Sequence, residues 1–225
     1  MSAVFITGTG TDIGKTFVAA GLIRHWRAIG RAGDAFKPVM TGYDPTTPLL
    51  SDAGVLLAAL GRPAGATEIE TVSPWRFAAP LSPNMAAQRE QRTINFETLV
   101  DFSRNAGRRP GATVLIEGIG GVMVPLDHTH TVLDWMAELN VPALLVTGSY
   151  LGSLSHTLTS RDAMRRRGIM LRAIVVNETA GSPVPLADTV ETLSRFAAES
   201  AIIPLPRLPH AFSDHPAFAE ISAAI

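Results

Sequence analysis

The chain has 225 residues, of which 46% are hydrophobic, and its formal net charge at pH 7 is −1. This length and composition predict one domain, residues 1–225, with a sizeable core, and the charge does not favour a nucleic-acid or membrane surface. The chain contains no cysteine, which excludes disulfides, thiolate metal sites and cysteine nucleophiles. Because there is no apolar run of membrane-spanning length and no secretion-signal pattern, we expect a cytoplasmic protein.

A glycine-rich stretch near the N-terminus has the context of a phosphate-binding loop. The apolar run 3–6 precedes Gly-Thr-Gly-Thr-Asp-Ile-Gly-Lys-Thr at residues 8–16, and a helical pattern of apolar residues follows. In such loops backbone N–H groups face an anion, a lysine (here Lys15) supplies a cation, and a hydroxyl (here Thr16) can join a Mg²⁺ shell. The common signature has four residues between its first glycine and Gly-Lys-Ser/Thr, whereas five separate Gly8 from Gly14. We predict a variant phosphate loop; the alternative is an ordinary turn with a chance Gly-Lys-Thr.

Strand and helix patterns alternate along the rest of the chain. A predicted strand over 35–39 places Lys37 near its carboxyl end, and residues 61–83, which hold four prolines, are predicted to be an irregular lid or substrate wall. The other predicted helices and strands are a helix opened by Ser51-Asp52, helices over 95–106, 132–139, 154–167 and 184–198, a short terminal helix, and strands over 112–116, 141–146, 170–176 and 201–204. This alternation predicts an α/β fold of the P-loop NTPase type, a mostly parallel sheet with helices on both faces.

Polar residues at four strand ends are expected to meet at one edge of this sheet, where open parallel sheets bind ligands. They are Lys15 with Thr16, Lys37, Glu117 and Asn177. Glu117 offers the hard oxygens that Mg²⁺ prefers, or it is a surface carboxylate at a turn. Lys37 supplies a second cation for phosphates, or it extends to solvent. No Asp or His has an obvious place as a base for a hydroxyl nucleophile, which suggests that the nucleophile arrives as an anion.

Three further features leave alternatives open. The amide of Asn177 matches adenine, and residues 177–180 lack the Asn-Lys-x-Asp of guanine-specific proteins, so ATP is favoured over GTP. Asp52 fits a metal ligand and a helix cap equally well. The turn at residues 148–155 offers free N–H groups to a carboxylate, or it is simply a capped turn. His128 and His130 lack a third ligand at suitable spacing, so a metal is not expected there.

Seven segments, in the same order, together resemble the ATP-dependent dethiobiotin synthetases, and the similarity extends from residue 3 to about residue 208. The segments are Gly-Thr-Gly-Thr-Asp-Ile-Gly-Lys-Thr, Phe-Lys-Pro-Val-Met-Thr-Gly, Ser-Asp-Ala, Leu-Ser-Pro, Glu-Gly-Ile-Gly-Gly, Leu-Gly-Ser-Leu-Ser-His-Thr and Val-Asn-Glu. The resemblance implies that 7,8-diaminopelargonate, CO₂ and MgATP give dethiobiotin, ADP and phosphate in biotin biosynthesis. It implies an N-carbamate and a carbamic-phosphoric anhydride as intermediates, and a homodimer with sites that span the interface.

The resemblance also implies roles for individual residues. Lys37, Lys15 and Thr11 would be catalytic, and Thr16, Asp52 and Glu117 would hold Mg²⁺. Residues implied in nucleotide binding are Asp12, Ile13, Gly14, Lys15, Thr16, Phe17, Asp52, Glu117, Gly118, Gly120, Asn177, Pro206, Arg207 and Leu208. Residues implied in substrate binding are Lys37, Thr41, Leu151, Gly152, Ser153 and Ser155, the last four in a helix N-terminus that would receive the substrate carboxylate from the neighbouring subunit.

This chain departs from the family pattern at two places. Ile119 stands where a smaller residue is common, and residues 206–210 lack a clear match to the acidic residue that some members direct towards the ribose. The main alternative function is a partner-regulated ATPase of the chromosome-partitioning or septum-positioning kind. Those proteins usually carry a second lysine early in the loop, where this chain has Gly8-Thr9-Gly10. An amidoligase of cobalamin synthesis would need a glutaminase cysteine, which is absent.

Overall fold

The computed structural model describes residues 2–208 and 215–225. Its strands are β1 (Ser2–Gly8), β2 (Gly33–Phe36), β3 (Val39–Thr41), β4 (Trp75–Phe77), β5 (Thr113–Glu117), β6 (Ala143–Gly148), β7 (Leu171–Asn177) and β8 (Ala201–Leu205). Six of them form one sheet in the order β2-β5-β1-β6-β7-β8, and all of its neighbouring pairs are parallel. β3 and β4 form a separate parallel pair. All carboxyl ends of the main sheet therefore lie along one edge.

Helices cover both faces of this sheet. They are α1 (Lys15–Ala28), α2 (Asp52–Leu60), α3 (Ala66–Val72), α4 (Pro83–Arg89), α5 (Phe96–Ala106), α6 (Val132–Leu139), α7 (Ser153–Arg166), α8 (Leu186–Phe196) and α9 (Pro216–Ala223). Alternate residues of β1 enter opposite cores because a strand's side chains alternate between faces. Phe5 packs with α5 and α6, whereas Ile6 packs with α1, α2 and α9. The predicted α/β fold is confirmed.

The side chains that fix these helices are large and buried. The rings of Phe5 and Trp135 meet edge to face with centroids 4.8 Å apart. On the other face, the indole Nε1 of Trp26 in α1 donates a hydrogen bond of 2.8 Å to Ser222 Oγ in α9. Both indoles are fully buried. This packing holds α1, and with it the phosphate loop, firmly against the sheet.

Most predicted elements begin and end within two residues of the observed ones, but two predictions were wrong. The predicted strand 35–39 divides at Lys37 and Pro38 into β2, which pairs with β5, and β3, which pairs with β4. Proline has no N–H for a strand ladder, which accounts for the division.

Residues 61–83 are not irregular. They contain α3, β4 and the first residue of α4, and a further unpredicted helical stretch completes α4. The prolines of this segment stand at boundaries: Pro74 directly precedes β4, and Pro83 is the first residue of α4, where a missing N–H costs nothing. In the part of the chain that the structure describes, no helix is long and apolar enough to cross a membrane.

Candidate active site

A cavity of about 430 Å³ opens at the carboxyl edge of the sheet. It is lined by the phosphate loop, by the ends of β2 and β5, by β3 and by the start of α2. The predicted residues that line it are Thr11, Asp12, Gly14, Lys15, Thr16, Lys37, Thr41, Asp52, Glu117 and Gly120. Ile119 lines it too, together with residues for which the sequence predicted no role in the site, namely Met40, Gly42, Tyr43, Leu50 and Ser51.

The phosphate loop, residues 8–16, folds tightly around its own lysine. Lys15 Nζ donates a hydrogen bond of 2.7 Å to Gly10 O. Gly14 has φ of 99°, and a Cβ there would lie 2.3 Å from Asn177 Nδ2. Asp12 also has a positive φ, 57°. The loop therefore needs glycine at Gly14 for both its backbone conformation and its contact with the end of β7.

Lys15 is a poorly solvated cation in this loop. Burial, together with the nearby positive charge of Lys37, lowers its pKa to about 8, although Glu117 and Asp52 act in the opposite direction. A polyanionic ligand in the cavity would favour the charged form. Occupation of the loop by phosphate groups is therefore expected to be linked to protonation of Lys15.

Lys37 and Glu117 form a buried ion pair. Lys37 Nζ lies 2.6 Å from Glu117 Oε1, 2.8 Å from Gly118 O and 2.9 Å from Asp52 Oδ2. Only 2% of Lys37 and 1% of Glu117 is exposed, so both surface interpretations were wrong. Burial disfavours the charged form of Lys37, but the two carboxylates outweigh burial and raise its pKa. Burial raises the pKa of Glu117, with Lys37 opposing the shift.

Asp52 is not the residue that caps α2. Ser51 occupies the cap position, and its Oγ accepts a hydrogen bond of 3.1 Å from Gly54 N. The carboxylate of Asp52 is directed instead to Lys37. Burial disfavours the charged form of Asp52, but Lys37, with smaller contributions from Thr16 and Lys15, outweighs burial and lowers the pKa of Asp52. The capping alternative is therefore wrong, and a charged Asp52 faces the cavity.

The donors beside this ion pair suit a hard divalent cation. Thr16 Oγ1 donates a hydrogen bond of 2.7 Å to Glu117 Oε1, and Glu117 Oε2 is buried without a hydrogen-bond partner among the described residues. One hydroxyl and two carboxylates supply only oxygen atoms, which is the ligand type that Mg²⁺ prefers. The three residues therefore fit the metal that the sequence predicts. His130, in contrast, pairs with Asp127 at 2.8 Å and stacks on Phe96.

Several residues that the resemblance implies in nucleotide binding do not line the cavity. Asn177 Nδ2 donates a hydrogen bond of 3.0 Å to Ile13 O, and within the described residues Asn177 Oδ1 makes no hydrogen bond. Residues 206–208 follow β8, and Arg207 N donates a hydrogen bond of 2.8 Å to Glu178 Oε2. The ring of Phe17 instead packs towards Phe218, with centroids 6.2 Å apart. Residues 209 and 210 lie outside the described residues.

The N-terminus of α7 does not line the cavity of its own chain. Gly152 at its cap position has φ of 99° and gives no side-chain cap, so the alternative of a side-chain-capped turn was wrong. Ser153 Oγ is buried without a hydrogen-bond partner in the described part of the chain. Leu151, just before the helix, is 89% exposed. Ser153 N donates a hydrogen bond of 2.9 Å to Tyr150 O, whereas the N–H groups of residues 154 and 155 have no partner in the described part of the chain and lie near an exposed apolar side chain.

The sheet order and the loop at its carboxyl edge define the chain as a P-loop NTPase-type protein. A family model described as "AAA domain" matches residues 2–211. A chain of the MinC:MinD cell division protein complex of Aquifex aeolicus superposes with a TM-score of 0.57 at 12% identity, covering 93% of this chain and 82% of that one. The cell division ATPase MinD of Pyrococcus furiosus superposes with a TM-score of 0.54 at 16% identity, covering 100% of this chain and 98% of that one. These identities show the fold alone.

Curated relatives are far more similar in sequence. The ATP-dependent dethiobiotin synthetase BioD of Acidiphilium cryptum is 50% identical over 196 residues, which is 87% of this chain and 88% of the relative. The enzyme of the same name from Phenylobacterium zucineum is 45% identical over 213 residues, 94% and 91% of the two chains. The chain belongs to the family of ATP-dependent dethiobiotin synthetases, and it is a ligase that uses ATP.

Proposed function

We propose that the chain closes the cyclic urea of dethiobiotin from 7,8-diaminopelargonate, here called the diamine, CO₂ and MgATP. One amine adds to CO₂ and loses a proton, which gives an N-carbamate. A carbamate oxygen attacks the γ-phosphorus and ADP leaves, which gives a carbamic-phosphoric anhydride. The second amine then attacks the carbamoyl carbon, and phosphate leaves as the ring closes. The products are dethiobiotin, ADP and phosphate.

The observation that carries this proposal is the pair of lysines at one cavity, where the carboxylates of Glu117 and Asp52 are both engaged by one of them. Lys15 belongs to the phosphate loop and Lys37 to the end of β2, and both line the cavity with Thr11. The acidic neighbours of Lys37 hold it as a cation, because they raise its pKa. Two cations at one cavity suit a nucleophile that is already anionic, such as a carbamate.

Lys37 must exchange a partner to reach the substrate. Its ammonium group has three hydrogens, and Glu117, Gly118 O and Asp52 occupy all three. The side chain of Asp52 is 45% exposed, which makes it the partner most easily replaced. Thr41, which also lines the cavity, is proposed to contact the carbamate beside Lys37. The two lysines would then neutralise the charge that develops between carbamate and phosphate.

Mg²⁺ is proposed to be held by Thr16, Asp52 and Glu117. When bound, such an ion neutralises phosphate charge and orients the phosphate groups. Glu117 Oε2, which has no hydrogen-bond partner within the described ranges, supports this assignment, because a buried carboxylate oxygen without a hydrogen bond is costly unless a ligand completes it. Around the phosphates, the loop residues Asp12 to Thr16 and the glycines Gly118 and Gly120 are proposed to surround the nucleotide, with Phe17 just inside α1.

The base of ATP is proposed to bind between Asn177 and residues 206–208. Asn177 Oδ1, which accepts no hydrogen bond from the described residues, and the second amide hydrogen of Asn177 provide the acceptor and donor that adenine requires. Glu178 fixes the backbone of Arg207, and so the segment Pro206, Arg207 and Leu208 has a defined position beside the amide.

We further propose a homodimer in which residues 151–155 receive the substrate carboxylate from the facing subunit. The support is the start of α7, where the N–H groups of residues 154 and 155 have no partner among the described residues, where Leu151 is exposed, and which does not line the cavity of its own chain. Coexpression of Lys37→Ala and Gly152→Val chains tests this arrangement. Each variant alone should be inactive, whereas mixed dimers should regain activity, because one of their two sites contains neither change. If a mixture that contains verified mixed dimers is inactive, the proposal that the two subunits share each active site is wrong.

The decisive experiment supplies MgATP and ¹³C-bicarbonate to the purified chain and measures phosphate release with and without the diamine. We expect release to depend on the diamine and to be matched by dethiobiotin that carries one heavy carbon. Release that ignores the diamine would refute the proposal and favour the alternative of a partner-regulated ATPase.

A further inference from the structure

A chain of three threonine hydroxyls links the phosphate loop to the N-terminus of α7. Thr9 Oγ1 lies 3.1 Å from Thr147 Oγ1 at the end of β6. Thr147 Oγ1 lies 2.8 Å from Thr157 Oγ1, and Thr157 Oγ1 lies 2.6 Å from Ser153 O in the first turn of α7. Thr147 and Thr157 are fully buried. This hydroxyl chain therefore runs through the protein interior and not over its surface.

The hydroxyl of Thr157 has two acceptors but only one hydrogen. Thr157 Oγ1 is placed to donate both to Ser153 O and to Thr147 Oγ1, so the two acceptors compete for the same hydrogen. In the contact between Thr9 and Thr147, either hydroxyl can donate. A disturbance of Thr9 therefore changes the hydrogen bond that Thr147 makes with Thr157, and with it the competition at Ser153 O.

At the phosphate loop, the hydroxyl chain ends beside a contact that a nucleotide would disturb. In the structure, Lys15 Nζ holds Gly10 O, the carbonyl next to Thr9. A triphosphate would draw the ammonium group away from Gly10 O. The backbone at Thr9 and Gly10 is then free to shift, and the hydroxyl of Thr9 shifts with it. At the other end, the hydroxyl chain is bonded to the turn that presents the N–H groups of α7.

We propose that Thr147 and Thr157 are positioning residues that couple occupancy of the phosphate loop to the first turn of α7. ATP in the phosphate loop of one chain, and the substrate carboxylate that α7 of the same chain receives from the facing subunit, thereby strengthen each other's binding. The inference rests on the proposed function, in which α7 receives that carboxylate. By thermodynamic linkage the coupling is reciprocal.

Calorimetry of the full-length chain tests the coupling, with the diamine titrated with and without the β,γ-imido analogue of ATP and Mg²⁺. In the unaltered protein the analogue should tighten diamine binding by about fivefold or more. Thr157→Val, which keeps the shape and removes the hydroxyl, should bring this ratio to about one, while Thr157→Ser should retain it. Thr147→Val should behave like Thr157→Val and replaces it if that variant does not fold.

Thr189→Val is the matched control. Thr189 is equally buried, and its hydroxyl also donates to the carbonyl four residues earlier, Pro185 O at 3.1 Å, but it lies on α8 outside the hydroxyl chain. It should keep the coupling of the unaltered protein. An unchanged ratio in Thr157→Val, equal losses in Thr157→Val and Thr189→Val, or no coupling in the unaltered protein would each overturn the inference. A protein that binds no diamine at all would instead contradict the proposed function.

Discussion

Lys37 and Glu117 meet at 2.6 Å in a site where both side chains are almost completely buried. The pair joins the end of β2 to the end of β5, two neighbouring strands of the sheet. Each residue compensates the buried charge of the other, since an isolated buried charge is strongly disfavoured. The pair therefore stabilises the fold and also keeps a cation at the cavity.

Lys37→Met should abolish turnover and lower the free energy of unfolding by about 3–5 kcal/mol at pH 8, because it leaves Glu117 buried without its cation. In the variant, burial alone would hold the pKa of Glu117 above its unfolded value. The folded state then binds a proton more tightly than the unfolded state, so the loss should shrink as the pH falls towards 5. Urea unfolding of both proteins at pH 8 and at pH 5 measures this loss of stability.

The double variant Lys37→Met with Glu117→Gln is the control for this explanation. Removing both charges should restore part of the lost stability, but no activity. A loss of stability that does not change with pH and is not relieved by Glu117→Gln would mean that packing, and not the charge of Glu117, causes it.

Nucleotide binding should take up a proton above neutral pH. With a pKa of about 8, Lys15 is roughly three-quarters neutral at pH 8.5. Triphosphate charge should restore the proton, so binding should take up about 0.7 proton per site. Calorimetry at pH 8.5 in two buffers of different ionisation enthalpy measures this number. Lys15→Arg keeps a permanent charge and should reduce the uptake to near zero; unchanged uptake in that variant would assign the proton to another group.

Gly14→Ala should destabilise the nucleotide-free protein by about 1–3 kcal/mol, because alanine is strained at φ of 99° and its Cβ would meet Asn177 Nδ2 at 2.3 Å. Gly10→Ala is the control in the same loop, since a Cβ there meets no atom within 4 Å and φ is not positive. It should change stability by less than about 0.5 kcal/mol. Equal effects of the two changes, measured by urea unfolding without nucleotide, would show that the loop does not depend on the Gly14–Asn177 contact.

Much of the site was predictable because strand ends are readable from sequence. Lys37 and Glu117 follow short apolar runs, and Lys15 and Thr16 follow the glycine-rich loop after another such run, so that parallel strands place all four at one edge. The roles of Asp52 and Ser51 were not separable in this way. Either residue can cap a helix. Only the position of Lys37 in space shows that Asp52 pairs with this lysine and leaves the cap to Ser51.

The hydroxyl chain and the pairing of β3 with β4 could not be read from the sequence. Thr9 and Thr147 are 138 residues apart, and a threonine in an apolar strand gives no signal of what its hydroxyl meets. β3 has only three residues and follows Pro38, so the run 35–39 looks like one strand. Long-range contacts decide both features, and local patterns do not contain them.

Asn177→Ala should reduce the preference for ATP over GTP by about tenfold in kcat/KM, because the amide is proposed to supply both hydrogen-bonding groups that distinguish adenine. It should also weaken binding of both nucleotides, since Ile13 O loses its donor. Glu178→Ala is the matched control: it releases Arg207 N but leaves the amide in place, and should raise both KM values without changing their ratio. If Asn177→Ala raises both KM values equally, as Glu178→Ala should, then the amide positions the phosphate loop and does not select the base.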